Sequence, residues 1–328
     1  MDQLKPMDTT DTLLYLTRRV LQALAVILIV TIVVFCLLHA LPGGPARGIL
    51  GPQATGEQIA AFNHEQGLDR PLPVQYVYYL NTLLHGDLGT SYTLNEAVLR
   101  LIEQRLPKTL VLTVLSALVG LLLAVPLGMW QAVRRNKPAD YVITTLSFVA
   151  YSTPVYFLGL ILVLLFTQTL RWFPSQAPQG DTLAQVFADP AALVLPVVTG
   201  AASMIAVFSR YMRAATLENL SEDYVRTARA GGSRQGAILF RHVFRNSLTP
   251  VIAMLGYYVP VLFGGALVVE QLFNYPGMGL LFWSAAQSSD YPVLLGCVLV
   301  ISVATVVGTL VADVVQRVVD PRVKGGRA

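Results

Sequence analysis

The part of this 328-residue sequence richest in reactive side chains runs from Leu220 to Val251. Glu222, Asp223, Tyr224, Arg226, Ala228 and Arg229 precede a Gly231-Gly232 pair, and Arg234, Arg241, His242, Arg245 and Asn246 follow it. Guanidinium groups at this density suit carboxylates or phosphates. On charge alone the segment reads as a basic loop solvated at a lipid surface. Two carboxylates stand elsewhere, Glu270 and Asp313, each near the end of an apolar stretch. Intramembrane carboxylates mark ion-coupled carriers, but neither has an evident basic partner within the bilayer. Tyr151, Ser152, Tyr156, Tyr257 and Tyr258 are hydrogen-bonding groups in or beside apolar runs. They could line a path or pack between helices. Glu270 could orient a ligand amine or stabilise an outer gate. It could equally bond backbone N–H groups around Asn274 and Gly277.

Other chemistry is missing. A phosphate-binding GxxxxGK[ST] loop needs a Gly-Lys pair, and none of Lys5, Lys108, Lys137 and Lys324 follows a glycine. There is no HExxH, no Cys-His cluster with zinc spacing and no GxSxG elbow. Cys36 and Cys297 lie inside apolar runs and read as small buried hydrophobes. The expectation is a chain with no catalytic, cofactor-binding or metal site of its own.

The elements that must position these groups follow from composition. The chain is 54% hydrophobic and 13% charged, against about 25% charged in soluble domains. Mean hydropathy is +0.59. Residues 20–46, 109–133, 141–170, 190–209, 246–269 and 291–312 contain no Asp, Glu, Lys or Arg. A spanning helix needs about 20 apolar residues, so the pattern predicts an all-α polytopic membrane protein with six transmembrane helices. It excludes a soluble enzyme, a disordered regulator and a nucleic-acid binder. The first apolar run follows Arg18-Arg19 and is longer than a signal-peptide core; it reads as a retained helix. Alternating the loops leaves seventeen Lys and Arg on one side and six on the other. The richer side is cytoplasmic, with both termini on it.

The expected organisation is a cytoplasmic N-terminus at 1–19, helix 1 at 20–41 and an extracytoplasmic helical lobe at 42–107. Helices 2–6 then occupy 108–315, with a cytoplasmic loop at 214–248, and 316–328 form a cytoplasmic tail. In the lobe, Thr55 and Gln58 have capping-box spacing and Gly67 could end their helix. A second helix could run from Pro73 to Gly86, and Asn95 could cap a third that runs toward Pro107. Tyr76, Tyr78 and Tyr79 could pack within the lobe, sit at the membrane interface or meet an external partner. Residues 167–191 carry turn chemistry. In the basic loop, Ser221 could cap a helix through Ala230, with a second helix from about Ser233 to Asn246 and Pro250 opening span 5. Pro126, Pro154, Pro196 and Pro260 should kink their spans.

The order of residues in the basic loop is distinctive. Asp223-Tyr224-Val225-Arg226-Thr227-Ala228-Arg229-Ala230-Gly231-Gly232, then Arg241-His242-Val243-Phe244-Arg245-Asn246-Ser247-Leu248-Thr249-Pro250, resembles the EAA loop of ABC-importer membrane subunits. The version is that of the dipeptide, oligopeptide and nickel permeases. The likeness covers nearly the whole chain. It includes His39-Ala40-Leu41-Pro42-Gly43, Gly67 to Tyr76, Gly86 to Ser91, Ser152 to Phe157, Glu270 to Gly279 and Asp290-Tyr291-Pro292. It departs where Gly44 replaces an Asp usual in the family and Gly231 replaces a common Lys.

The resemblance implies a type I ABC-importer permease in a bacterial cytoplasmic membrane. Its expected partners are a second homologous permease, one or two ATPase subunits, an extracytoplasmic substrate-binding lipoprotein, the bilayer and a peptide substrate, with no nucleic acid. ATP and Mg would be bound by the ATPases. Glu222, Asp223, Tyr224, Arg226, Ala228, Arg229, Gly231, Gly232, Arg241, His242, Arg245 and Asn246 would form the coupling surface. Tyr151, Ser152, Tyr156, Tyr257, Tyr258 and Glu270 are the candidates for path or gate. The alternatives are the same fold carrying a nickel chelate, glutathione or another small solute, or a self-sufficient ion-coupled carrier.

Overall fold

The structure is a computed structural model. It describes residues 9–40, 44–51 and 53–319, the side chains of 9–16, 257, 260, 264, 265 and 312–319 excepted. The expected termini at 1–8 and 320–328 and the Leu41-Pro42-Gly43 segment therefore lie outside the described residues, as do the side chains of Tyr257 and Asp313.

In chain order the helices are α1 (Thr9–His39), α2 (Gly44–Leu50), α3 (Gly56–Glu65), α4 (Leu72–Leu84), α5 (Val98–Val133), α6 (Pro138–Ser152) and α7 (Val155–Leu162). Then come α8 (Leu183–Ala188), α9 (Pro190–Ser221), α10 (Asp223–Ala230), α11 (Gln235–Ala237), α12 (Phe244–Leu272), α13 (Met278–Gln287) and α14 (Tyr291–Val319). Wider π-helical turns extend α7 over Val163–Thr169 and join α11 to α12 over Ile238–Val243. Among the described residues four helices are each long and apolar enough to cross a membrane, and six spans result if each of two bent pairs counts as one. One pair bends by 111° between Ser152 and Val155. Pro154 has no N–H to donate and drives Thr153 out of the helical region, to φ −82° and ψ 126°. The second pair bends by 62° across 256–261, the segment containing Pro260. Pro126 and Pro196 do not end their helices: both lie inside unbroken ones, as does Pro107.

The chain divides into two compact units, 1–102 with 284–310 and 103–283 with 311–328. In the first unit Thr55 caps α3 through the expected reciprocal box with Gln58, and Gly67 takes φ +67° just beyond it. Nearby, the His64 imidazole bonds the exposed Asp69 carboxylate at 2.8 Å and holds its carboxyl below the usual range. Pro71 starts α4, and the turn at Gly86 follows it. Tyr76 bonds Thr31 of α1 at 3.0 Å, and the Tyr76 and Tyr79 rings lie 5.2 and 6.4 Å from Phe35. Tyr78 is exposed. His39 sits at the junction, its ring nitrogens 2.8 Å from the Phe35 carbonyl and 2.9 Å from Gln75 Oε1.

Asn95 does not cap a helix that stops near Pro107. It takes φ +53° in a turn, and α5 begins at Val98 and runs on through Pro107 to Val133. Asp290 does the fastening there instead. Its buried carboxylate accepts from the hydroxyls of Ser91 (2.5 Å) and Thr93 (2.8 Å) and from the N–H groups of Tyr92 and Thr93 (3.2 Å each).

In the second unit α9 is the central helix and packs against α6, α7 and α12. Small residues let α5 approach it closely. An added Cβ at Gly120 would meet Met204 Sδ at 2.9 Å, one at Gly200 would meet Ser116 Oγ at 2.6 Å, and one at Gly128 would strike the Ser209 carbonyl. Helices in lipid associate through such close packing. One core cluster centres on Leu112, Leu193, Leu195, Val269, Phe273 and Tyr275, and another on Met204, Phe208, Met212, Val251 and Tyr258. Asp140 in the first turn of α6 accepts two bonds from the Arg213 guanidinium on α9, at 2.8 and 2.7 Å. The 167–191 segment contains the short α8, capped by Thr182 and Gln185.

Candidate functional site

The 220–250 segment is built around three buried side chains, Val225 of α10 and Ile238 and Val243 of the π turn. Leu220, Tyr224, Ala228 and Leu239 pack against them. This small core fixes α10 against the π turn that leads into α12 and leaves polar groups outside. Ser221 is not the cap of α10. It is the last residue of α9, its hydroxyl donating to the Glu218 carbonyl at 2.7 Å, and Glu222 takes the N-cap position without a side-chain bond. The expected separate helix over 233–246 is also absent. A single turn of α11, the π turn and α12 follow one another without a break, so Pro250 lies inside α12.

Of the glycine pair, only Gly232 needs its lack of a side chain, with φ +78°; Gly231 has φ −76°. The reversal is held by bonds from the N–H of Gly231 to Thr227 O, of Gly232 to Arg229 O and of Ser233 to Ala228 O, at 2.9–3.1 Å. Glu222, Asp223, Arg226, Arg229, Gly231, Gly232, Arg241, Arg245 and Asn246 are exposed. Tyr224, Ala228 and His242 turn partly inward. The Tyr224 hydroxyl donates to Asn219 Oδ1 at 2.8 Å, and its ring lies 6.5 Å from that of His242. Arg226 pairs with Asp223 at 3.1 Å, both open to solvent, so the pair contributes little to stability. Arg229, Arg234, Arg241 and Arg245 leave a strongly basic surface. Phe240 is 73% exposed and lines an apolar groove with Trp130, Val133 and Phe244. Ile238 and Val243 read as apolar positions from sequence, but Phe240 and the packing of Val225 on those two were missed; the 225/228 spacing on α10 was the signal available for Val225.

The path candidates separate into two groups. Tyr151, Ser152 and Tyr156 are exposed around the α6–α7 bend, with the Arg210 guanidinium 4.8 Å from the Tyr151 ring centre. Tyr258 is buried, and its hydroxyl donates to Ser203 at 3.1 Å. Thr113, Ser116, Ser203 and Tyr258 line a cavity of about 30 Å³, room for a water molecule.

Glu270 adopts the backbone-bonding role. It is fully buried and accepts from the Thr109 hydroxyl (2.6 Å), Gly279 N–H (2.6 Å) and Leu280 N–H (3.2 Å). The Thr109 oxygen in turn accepts from Met278 N–H at 2.7 Å. Tyr275 adds a bond from its hydroxyl to the Lys108 carbonyl at 2.9 Å, and burial beside Glu270 pushes that phenol well above its ordinary value. The orphan N–H groups at the start of α13 are thus met by a carboxylate and a hydroxyl. Among the described residues no cluster of His, Cys, Asp or Glu could hold a metal ion.

Residues 124–325 match the family described as binding-protein-dependent transport system inner membrane component, and residues 12–113 match its N-terminal counterpart. The chain is 37% identical over 312 residues to the oligopeptide transport system permease protein AppB of Bacillus subtilis, covering 94% of this chain and 99% of that one. It is also 37% identical over 310 residues to the glutathione transport system permease protein GsiC of Salmonella choleraesuis, covering 94% and 98%.

Proposed function

The chain belongs to the family of binding-protein-dependent transport system inner membrane components, and from that premise we propose that it is a permease subunit of an ATP-driven importer of di- or oligopeptides. The similarity to an oligopeptide permease along nearly the full length of both chains supports the cargo. The similarity to a glutathione permease keeps a small peptide-like solute as the second reading. The chain pairs with a homologous permease, and substrate reaches them from an extracytoplasmic binding protein. ATP and Mg belong to separate ATPase subunits. Both termini are cytoplasmic, on the side richer in Lys and Arg.

The observation that carries the mechanism is the α10–Gly232 reversal packed onto the π turn that leads into α12. α10 is a short rigid body, closed by backbone bonds and seated on Val225. Its exposed arginines suit an acidic rim on an ATPase. A push on α10 passes through Ile238 and Val243 directly into α12, because no loop intervenes. The α6–α7 bend and α12 both pack on α9, so displacement of α12 can change access along the path. Uniform contacts would not couple the sites; coupling needs α10 to favour one permease state when the ATPases close.

The test is affinity purification of the tagged chain from its native membrane in mild detergent, with the companions identified by mass spectrometry. A second six-span permease and P-loop ATPases are expected. A lone homo-oligomer would support an ion-coupled carrier instead. In the reconstituted complex, Gly232→Trp should leave membrane insertion intact and separate ATP hydrolysis from uptake; normal substrate-driven uptake at normal expression would sink the coupling assignment.

A further inference from the structure

A groove of about 740 Å³ lies in the second unit, between the last third of α5 and the segment from Leu239 to Leu255. None of the residues that line it is charged. Leu122, Pro126 and Trp130 follow one another at helical spacing on one wall, and Leu248 and Ile252 do so on the other, so each wall is a single helical stripe. α5 and α12 belong to the second and fifth spans, which cross in opposite senses. Val133 and Phe240 therefore stand at one end of the groove, and Leu121 and Leu255 at the other. At 1.5 Å per residue the stretch from Leu121 to Val133 is about 18 Å long. A bilayer core is about 30 Å thick, so the groove is one leaflet deep.

Both stripes end in an arginine at the Val133–Phe240 end. Arg134 continues the α5 stripe one turn beyond Trp130. Its N–H donates to the Trp130 carbonyl at 3.1 Å, and its guanidinium lies 4.6 Å from the Trp130 ring centre, a cation–π contact that holds the charge at the mouth of the groove. Arg245 stands three residues before Leu248 and seven before Ile252, on their face of α12. Both arginines are exposed, and neither has an ion-pair partner among the described residues. A free anion would leave the apolar walls unused, and an uncharged lipid would leave the arginines unused. An anionic lipid uses both, and guanidinium groups suit phosphate. We infer that this groove binds one anionic phospholipid, an acyl chain lying between the Trp130 and Leu248 walls and the phosphate at Arg134 and Arg245. Basic pockets between helices on the cytoplasmic side hold such headgroups, and Arg134 and Arg245 belong to the side richer in Lys and Arg. Leu239 and Phe240 of the π turn are part of the wall, so the bound chain touches the element that joins α10 to α12. The site lies apart from the cargo and does not depend on which solute is carried.

The experiment uses the chain with its companion subunits in nanodiscs of phosphatidylcholine containing a minor fraction of phosphatidylglycerol. In one preparation the phosphatidylglycerol carries brominated acyl chains; in the other an equal amount of the phosphatidylcholine does. Bromine quenches tryptophan fluorescence at contact, and subtracting the signal of the Trp130→Phe complex isolates Trp130 from every other tryptophan present. Brominated phosphatidylglycerol should quench Trp130 more strongly than brominated phosphatidylcholine, and titrating the brominated fraction gives the preference. Arg134→Gln and Arg245→Gln should each lower that preference about fivefold. Arg171→Gln, in the 167–191 segment, should leave it unchanged. Equal quenching by the two lipids, or a preference that neither Arg134→Gln nor Arg245→Gln reduces, overturns the site. A Trp130 that neither lipid quenches also overturns it and shows that another subunit covers the groove. Uptake is not part of the readout, so the result stands whatever the cargo proves to be.

Discussion

At the scale of the residue, Glu270 shows how a carboxylate near a membrane edge can be structural. Its oxygens hold the Thr109 hydroxyl and the N–H groups of Gly279 and Leu280. A glutamine keeps one oxygen for the two N–H groups and offers its amide nitrogen to Thr109. Glu270→Gln should therefore cost only about 1 kcal/mol and retain uptake. Glu270→Ala strands three donors at about 1–3 kcal/mol each and should abolish stable expression. Thermal unfolding of the purified complex, read beside uptake, checks both; a glutamine variant that is stable but inactive would restore Glu270 to the path. Gly277 is part of the same arrangement, since an added Cβ would fall on the Glu270 carboxylate. Gly277→Ala should lower stability by about 1–3 kcal/mol through overpacking.

At the scale of the element, one left-handed residue shapes the candidate coupling surface and one bidentate pair ties α6 to α9. Gly232 has φ +78° with open space where a Cβ would stand, and Gly236 has the same open space without the positive φ. Gly232→Ala should cost about 1–2 kcal/mol from backbone strain alone, while Gly236→Ala should be neutral or slightly stabilising. Hydrolysis-to-uptake stoichiometry in both variants tests whether the reversal itself transmits the stroke. The Asp140–Arg213 pair joins α6 to α9. Asp140→Ala leaves the guanidinium without its partner. Arg213 is 27% exposed, so the loss should fall at the low end of the range for broken buried pairs, about 3 kcal/mol. A thermal shift no larger than that of an exposed control such as Asp223→Ala would show that the tie is slack.

At the scale of the whole molecule, apolar side chains on the outside are the rule. In the α1 span only 11% of the most apolar window is buried within the chain, against 61% for α9. Such surfaces are expected when lipid or another membrane subunit is the neighbour. The orientation has a direct test. With Cys36 and Cys297 replaced by alanine, Arg135→Cys should react with an impermeant maleimide only in inverted vesicles. Glu57→Cys should react only in right-side-out ones. The opposite pattern would reverse the charge-based topology.

The sequence by itself determined that the chain is a helical membrane protein, because charge-free runs of spanning length are written directly in it. Residue order in the basic loop also carried the family, and the capping box at Thr55 carried a local boundary, since both are short-range signals. Tertiary structure alone decided which helices run on. Pro107 and Pro250 lie inside α5 and α12, although a proline ordinarily marks a helix start or break, and no local pattern reports that. Structure likewise chose between the two roles of Glu270, because its partners at Thr109 and Gly279 are brought together only when α5, α12 and α13 meet. It also revealed Val225, Ile238 and Val243 as one core and the pairing of Asp140 with Arg213. Those contacts depend on how side chains far apart in the chain fill a shared space, which composition and periodicity do not specify.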